Sequence, residues 1–141
     1  MASATFVKSD RFFAGMASGY YKLASDVIKV MLTDIAQNST AYQYSHVTQI
    51  GATGGYVTGG FVVACTQTEV SGTYRWFITD KVITASGAAI PQFRYVWLYD
   101  QSTVATPWPL IGYYDYASEV NIPNGSTFTI DFDATNGVFS I

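Results

Sequence analysis

Several stretches of this chain hold residue types that could do chemistry. The first is "GATGGYVTGG", Gly51 to Gly60, with five glycines in ten residues. Glycine-rich loops cradle phosphates when their N–H groups converge at a helix N-terminus. The Walker pattern needs G-x-x-x-x-G-K-[ST] between a strand and a helix, and the dinucleotide fingerprint needs G-x-G-x-x-G. Neither spacing occurs here, and "FVVACT", a strand-like run, follows. The stretch therefore reads as a bulged lead into a strand, at positions that need φ > 0, or as a segment that orders against a neighbour.

His46 is the only histidine. Nucleophilic catalysis would pair it with a serine or with Cys65, but G-x-S-x-G is absent and nothing local supports a triad. Common zinc sites draw on several His or Cys ligands, so a lone imidazole in a polar loop reads as a surface residue. Cys65, at the end of "VVAC", reads as a small buried apolar group. Asp131 and Asp133 stand two apart on one expected strand, about 7 Å from each other. Glycosidases use carboxylates at such distances, but across a cleft and from different elements, and calcium needs more oxygens. The pair reads as a device that keeps a strand face soluble or guards an edge. The aromatic run "YYDY", Tyr113 to Tyr116, offers stacking faces for sugar or for single-stranded nucleic acid. It has no basic neighbours, which argues against the nucleic acid. No catalytic, cofactor-binding or metal residue is assigned.

These residues must be positioned by a chain of 141 residues, which suits one domain over 1–141 and a single core. The one cysteine can form no intrachain disulfide, which favours assembly in a reducing compartment. Charged residues make up 12%, about half the usual share, while aromatics reach 16%. Seven Lys and Arg scattered singly, in a chain of net charge −3, form no basic stripe for nucleic acid. A surface poor in charge and rich in tyrosine suits protein–protein contact. It equally suits a β domain whose tyrosines cap its own core. No apolar run approaches the roughly 20 residues of a membrane span. The segment "MASATFVKSDRFF" lacks the pattern of a signal peptide.

Along the chain, residues 1–20 read as an N-terminal arm and short helix. Ser9 would cap "DRFFAGMASG", Phe12, Phe13 and Met16 would share a face, and Gly19 would stop it. "DVIKVMLTD" reads as a strand that buries Ile28, Val30 and Leu32 and turns Val27, Lys29, Met31 and Thr33 the other way. Residues 35–50 read as a polar connection with one helical turn near Ser45 to Ile50. "FVVACTQTEV" reads as one strand. "YRWFITDKVITAS" reads as strand with a gap near "TDK". "QFRYVWLYD" sets Phe93, Tyr95, Trp97 and Tyr99 on one face and Arg94, Val96 and Leu98 on the other. "QSTVATPWP" is a loop, "LIGYYDYA" a strand, and "NIPNGS" a turn. "TFTIDFDA" buries Phe128, Ile130 and Phe132, and "VFSI" is a last short strand after the tight turn "TNG". The expected fold is mainly β: an antiparallel β-sandwich (jelly-roll-like) or open barrel with one short N-terminal helix.

The order of five segments resembles a group of small virion structural proteins of tailed bacteriophages. Here they are "DVIKVMLTD", "GGYVTGG", "RYVWLYD", "PLIGYYDYA" and "NGSTFTIDFDATNGVFSI". The family pattern runs "DTIKVALL", "GYTAGG", "ARYAVLYD", "LLGYIDF" and "G-x-FTI-x-W…G". The resemblance covers about Asp26 to Ile141, and the loop Asp34 to Ile50 and "TPWPL" have no counterpart in it. It implies a non-enzymatic protein without cofactors, found in the virion on the capsid exterior and made in the host bacterial cytoplasm. It implies a decoration or cement role, with the major capsid protein and copies of itself as partners, and no nucleic acid or membrane. A tail, neck or fibre component, or a carbohydrate-binding β module, is the alternative. Candidate interface anchors are Trp108, stiffened by two prolines, and Tyr56 between glycine pairs, with Tyr113 and Tyr114 beside them.

Overall fold

Apolar alternation along short runs makes strands here, and ten form among the described residues. The computed structural model describes residues 4–102 and 108–141. Strands take up 45% of the described residues and helices 7%, so the fold is mainly β, with antiparallel sheets and one short α-helix among those residues.

The strands are β1 (Phe6–Lys8), β2 (Ile28–Thr33), β3 (Phe61–Val63), β4 (Cys65–Val70) and β5 (Thr73–Ile78). Then come β6 (Lys81–Thr84), β7 (Ile90–Asp100), β8 (Leu110–Ile122), β9 (Thr127–Ile130) and β10 (Phe139–Ser140). A five-stranded sheet has the order β1-β8-β7-β2-β3. A three-stranded sheet, β10-β5-β4, and a two-stranded sheet, β6-β9, complete the fold. The main core joins Ile28, Val30, Leu32, Phe93, Val96 and Leu98 of the large sheet to Trp76, Ile78, Ile83 and Ile130 of the small ones. That is sandwich packing.

The large sheet is buried on its other face too. Met31, Tyr95, Trp97, Tyr99, Leu110 and Tyr113 form a second core, covered by Ala41, Tyr44, Val47 and Trp108. Met31 and Thr33 are therefore buried, and β2 has no solvent face at their positions. The polar connection after β2 is the lid of this second core, and its one helical turn is a short 3-10 turn, Tyr44–His46. Two backbone bonds join it to the segment Trp108 to Leu110: Tyr44 N–H donates to the Trp108 carbonyl (2.9 Å) and Leu110 N–H to the Tyr42 carbonyl (3.0 Å).

Three expectations are corrected. Phe93 does not share a face with Tyr95, Trp97 and Tyr99; it lies in the main core. The β7–β8 register shifts between Phe93 and Tyr95, with Ala117 of β8 at φ 67°. A bulge of this kind resets the two-residue alternation. "FVVACTQTEV" is two strands, because the chain leaves the large sheet at Ala64 and enters the three-stranded one. Ser9 does not cap the helix α1, Phe12–Ala17. It is buried instead, and its Oγ donates to the Ala41 carbonyl (2.6 Å), tying the arm to the lid. Phe12 still fills the main core, with Phe13 and Met16 packed beside it.

Candidate functional site

The glycine stretch is a strap across the sheet. Gly60 adopts φ +79° and lies so close to β2 that a Cβ would stand 1.7 Å from the Val30 carbonyl oxygen. Only glycine tolerates both the conformation and the approach. The strap drives Tyr56 into the main core, where it is 2% exposed. The Tyr56 hydroxyl accepts from Leu32 N–H (3.1 Å) and donates to Gln49 Oε1 (2.6 Å). That oxygen also accepts from Gly59 N–H (2.8 Å), while Tyr99 donates to the Gly59 carbonyl (2.6 Å). Burial, opposed by the Leu32 hydrogen bond, pushes the Tyr56 phenol up to about 12.

The four candidate anchors do not converge. Tyr56 lies in the main core and Tyr113 in the second, 9% exposed, with its ring 4.8 Å from that of Trp97. Trp108 is half-buried over the second core, edge-on to Tyr44 at 4.9 Å and tilted against Tyr99 at 6.2 Å. Of the two prolines beside it, Pro109 is described and Pro107 lies outside the described residues. Neighbours on a strand point oppositely, so Tyr114 faces away from Tyr113, toward the small sheets.

Tyr114 opens into a groove of about 490 Å³ between β8 and the segment that follows β9. Phe6, Tyr116, Phe128 and Phe132 line it, with Asp131 and Asp133 among its polar residues. The Tyr114 ring stands 6.0 Å from Phe132 and the Tyr116 ring 5.8 Å from Phe128. Burial, and then the Asp133 charge, raise the Tyr114 phenol well above its ordinary range. Asp133 accepts from Asn136 N–H (2.8 Å), the Asn136 side-chain amide (3.0 Å) and Thr135 N–H (2.8 Å). Those bonds hold its carboxyl below the usual range. The groove thus offers aromatic walls and carboxylate oxygens, chemistry that fits a ligand with one apolar face and hydroxyl or cationic groups. "YYDY" and the Asp131/Asp133 pair were separate features of the sequence, and no local signal shows that they meet.

The other chemically suggestive residues have structural surroundings. His46 is exposed; its Nδ1 accepts from Tyr42 N–H (3.3 Å) and its ring meets Tyr42 edge-on at 4.5 Å. Arg11 stacks on the Tyr42 ring at 3.7 Å. Cys65 is half-buried in β4, and burial, then the Asp100 charge, push its thiol up to about 12. It is therefore a poor nucleophile at neutral pH. Among the described residues no three His, Cys, Asp or Glu gather to hold a metal ion. No helix of the described residues is long and apolar enough to cross a membrane.

Comparison with family models, with curated proteins and with solved structures gives no match to this chain.

Proposed function

We propose that this chain is a non-enzymatic structural protein of a bacteriophage virion, acting as a decoration or cement protein on the capsid exterior. The observation that carries this reading is the order of the five segments from "DVIKVMLTD" to "NGSTFTIDFDATNGVFSI". Their places in the fold support it. β2, β7 and β8 are the three middle strands of the large sheet, and the glycine strap is bound to β2. Of the stretches without counterpart, Asp34 to Ile50 meets Trp108 and Pro109, the first described residues of "TPWPL", through Gln43 and Pro109 and through Tyr44 and Trp108. The family pattern thus falls on the framework, and the departures fall together on one cover.

The mechanism is burial at seams between major capsid protein subunits. A standard interface buries roughly 800 Å² per partner, at about 25 cal/mol for each apolar Å² before the costs of ordering. Many copies acting together raise the pressure a shell withstands. The test is cosedimentation of the purified protein with capsids, followed by thermal release of packaged DNA with and without it. Bound protein and a higher release temperature are expected. Binding without a change in release temperature refutes the cement role, and failure to bind refutes the capsid reading.

The groove favours a second reading, a carbohydrate-binding β module. Tyr114 and Tyr116 would stack on a neutral sugar ring, and Asp131 and Asp133 would accept its hydroxyls. Titration calorimetry with host-surface glycans separates the two. Binding lost in Tyr116→Ala, with the fold retained, supports the module, and no heat with any glycan eliminates it.

A further inference from the structure

β4 is the outer strand of the three-stranded sheet, and among the described residues no strand lies beyond it. Its backbone polarity follows from its neighbour. Tyr74 exchanges both backbone bonds with Ile141 (2.7 and 3.0 Å), and the Trp76 carbonyl accepts from Val138 N–H (2.7 Å). Tyr74 and Trp76 thus direct their groups toward β10, and they sit opposite Glu69 and Gln67 in β4. Thr79 N–H donates to the Ala64 carbonyl (2.9 Å), so by the two-residue period Thr66, Thr68 and Val70 bond inward. Cys65, Gln67 and Glu69 therefore turn their N–H and C=O groups away from β5. From Thr66 to Val70 every residue of β4 is exposed, and its pairing with β5 runs without a bulge. The strand has no proline or lysine and one charge, Glu69. The usual protections of an edge are missing.

We propose that this edge pairs with the same edge of a second copy, antiparallel about a two-fold axis through Gln67. The edge is self-complementary in that register. Gln67 meets Gln67 of the second copy, and Cys65 meets its Glu69 on either side of the axis. All three outward residues then form bonded pairs, each exchanging two N–H···O=C bonds. A shift of the register by two residues leaves at least one of the three unpaired. Centring on Glu69 would oppose two like charges, which is unfavourable, whereas centring on Gln67 keeps them apart. Between the bonded pairs, Thr66 faces Thr68 of the second copy, a favourable cross-strand pair. A copy satisfies the whole open edge at once, because its three outward residues are centred on uncharged Gln67 and the two Glu69 charges fall at opposite ends of the pairing. The result is one six-stranded sheet made from two three-stranded ones. The pairing supplies a self-contact for the structural role proposed above, but it is argued from the edge alone and is tested without any capsid.

The test is sedimentation equilibrium of the full chain and of two charge variants. Thr66 and Thr68 are both exposed, and circular dichroism of each variant checks that the fold is kept. A concentration-dependent dimer is expected for the parent. Thr66→Lys with Thr68→Lys places lysines opposite lysines across the axis. Thr66→Asp with Thr68→Asp does the same with aspartates. Each variant alone should dimerise at least about tenfold more weakly. Mixed together, they should form a heterodimer, because every Lys then faces an Asp. A parent that stays monomeric overturns the pairing and leaves the capsid reading untouched. A dimer indifferent to both variants, with no preference on mixing, also overturns it.

Discussion

The Tyr56 hydroxyl ties the strap to Leu32 of β2 with one hydrogen bond and to Gln49, just before the strap, with another, at a nearly water-free position. Tyr56→Phe keeps the ring but leaves Leu32 N–H without its acceptor. An unpaired buried donor costs about 1–3 kcal/mol, so urea denaturation should show a loss of that size; no loss would mean the network adds nothing to stability. The same residue sets an alkaline limit. Unfolding returns Tyr56 from about 12 to its ordinary 10.0, and Cys65 from about 12 to 9.0. Above those ordinary values the unfolded chain binds fewer protons, so stability falls as pH rises. Both contributions are whole below about pH 9 and drain away from there to about pH 12. Cys65→Ala should remove the part of the decline that begins near pH 9, and Tyr56→Phe one share of the part that begins near pH 10, to which the raised Tyr21, Tyr99 and Tyr114 phenols also contribute, as read from unfolding free energies along the pH series.

At the scale of elements, glycines with positive φ have different jobs. Gly72 has φ +79° with nothing within 4 Å of a built Cβ, whereas Gly60 has the same φ against the Val30 carbonyl. Gly72→Ala, in the two-residue turn between β4 and β5, should cost only the conformational strain, about 1–2 kcal/mol. Gly60→Ala adds a backbone clash and should cost more than about 2 kcal/mol beyond that. Equal melting temperatures for the two variants would deny the close approach of strap and sheet. Much at this scale was legible beforehand. The break near "TDK" separates β5 from β6, and Ser71-Gly72 turns the chain with φ 51° and 79°. What escaped was any feature set by a neighbouring strand. Phe93 changes face because β8 shifts its register, and Ser9 abandons the helix because Ala41 offers a buried acceptor.

The whole molecule is a sheet enclosed on both sides. Trp97 is fully buried in the second core, as Trp76 is in the main one. If the lid is a true structural layer, Trp97→Ala should cost about 3–5 kcal/mol, as Trp76→Ala should. A cost below about 1 kcal/mol, measured by guanidinium unfolding, would reduce the lid to a loose loop. The candidate site belongs to this scale. Tyr114 and Tyr116 are on β8 and Asp131 and Asp133 follow β9, yet they share one groove.

By itself the sequence determined the β class, the turns and most strands, because alternation and glycine placement act within a few residues of chain. It marked Tyr56, Trp108, Tyr113 and Tyr114 as aromatics without telling inward from outward. Long-range packing alone covers Tyr56 and Tyr113, roofs Met31 and Trp97 with a polar connection, and leaves β4 with an open edge. Burial and edge exposure depend on which distant segment arrives at a face, and no local pattern encodes that arrival.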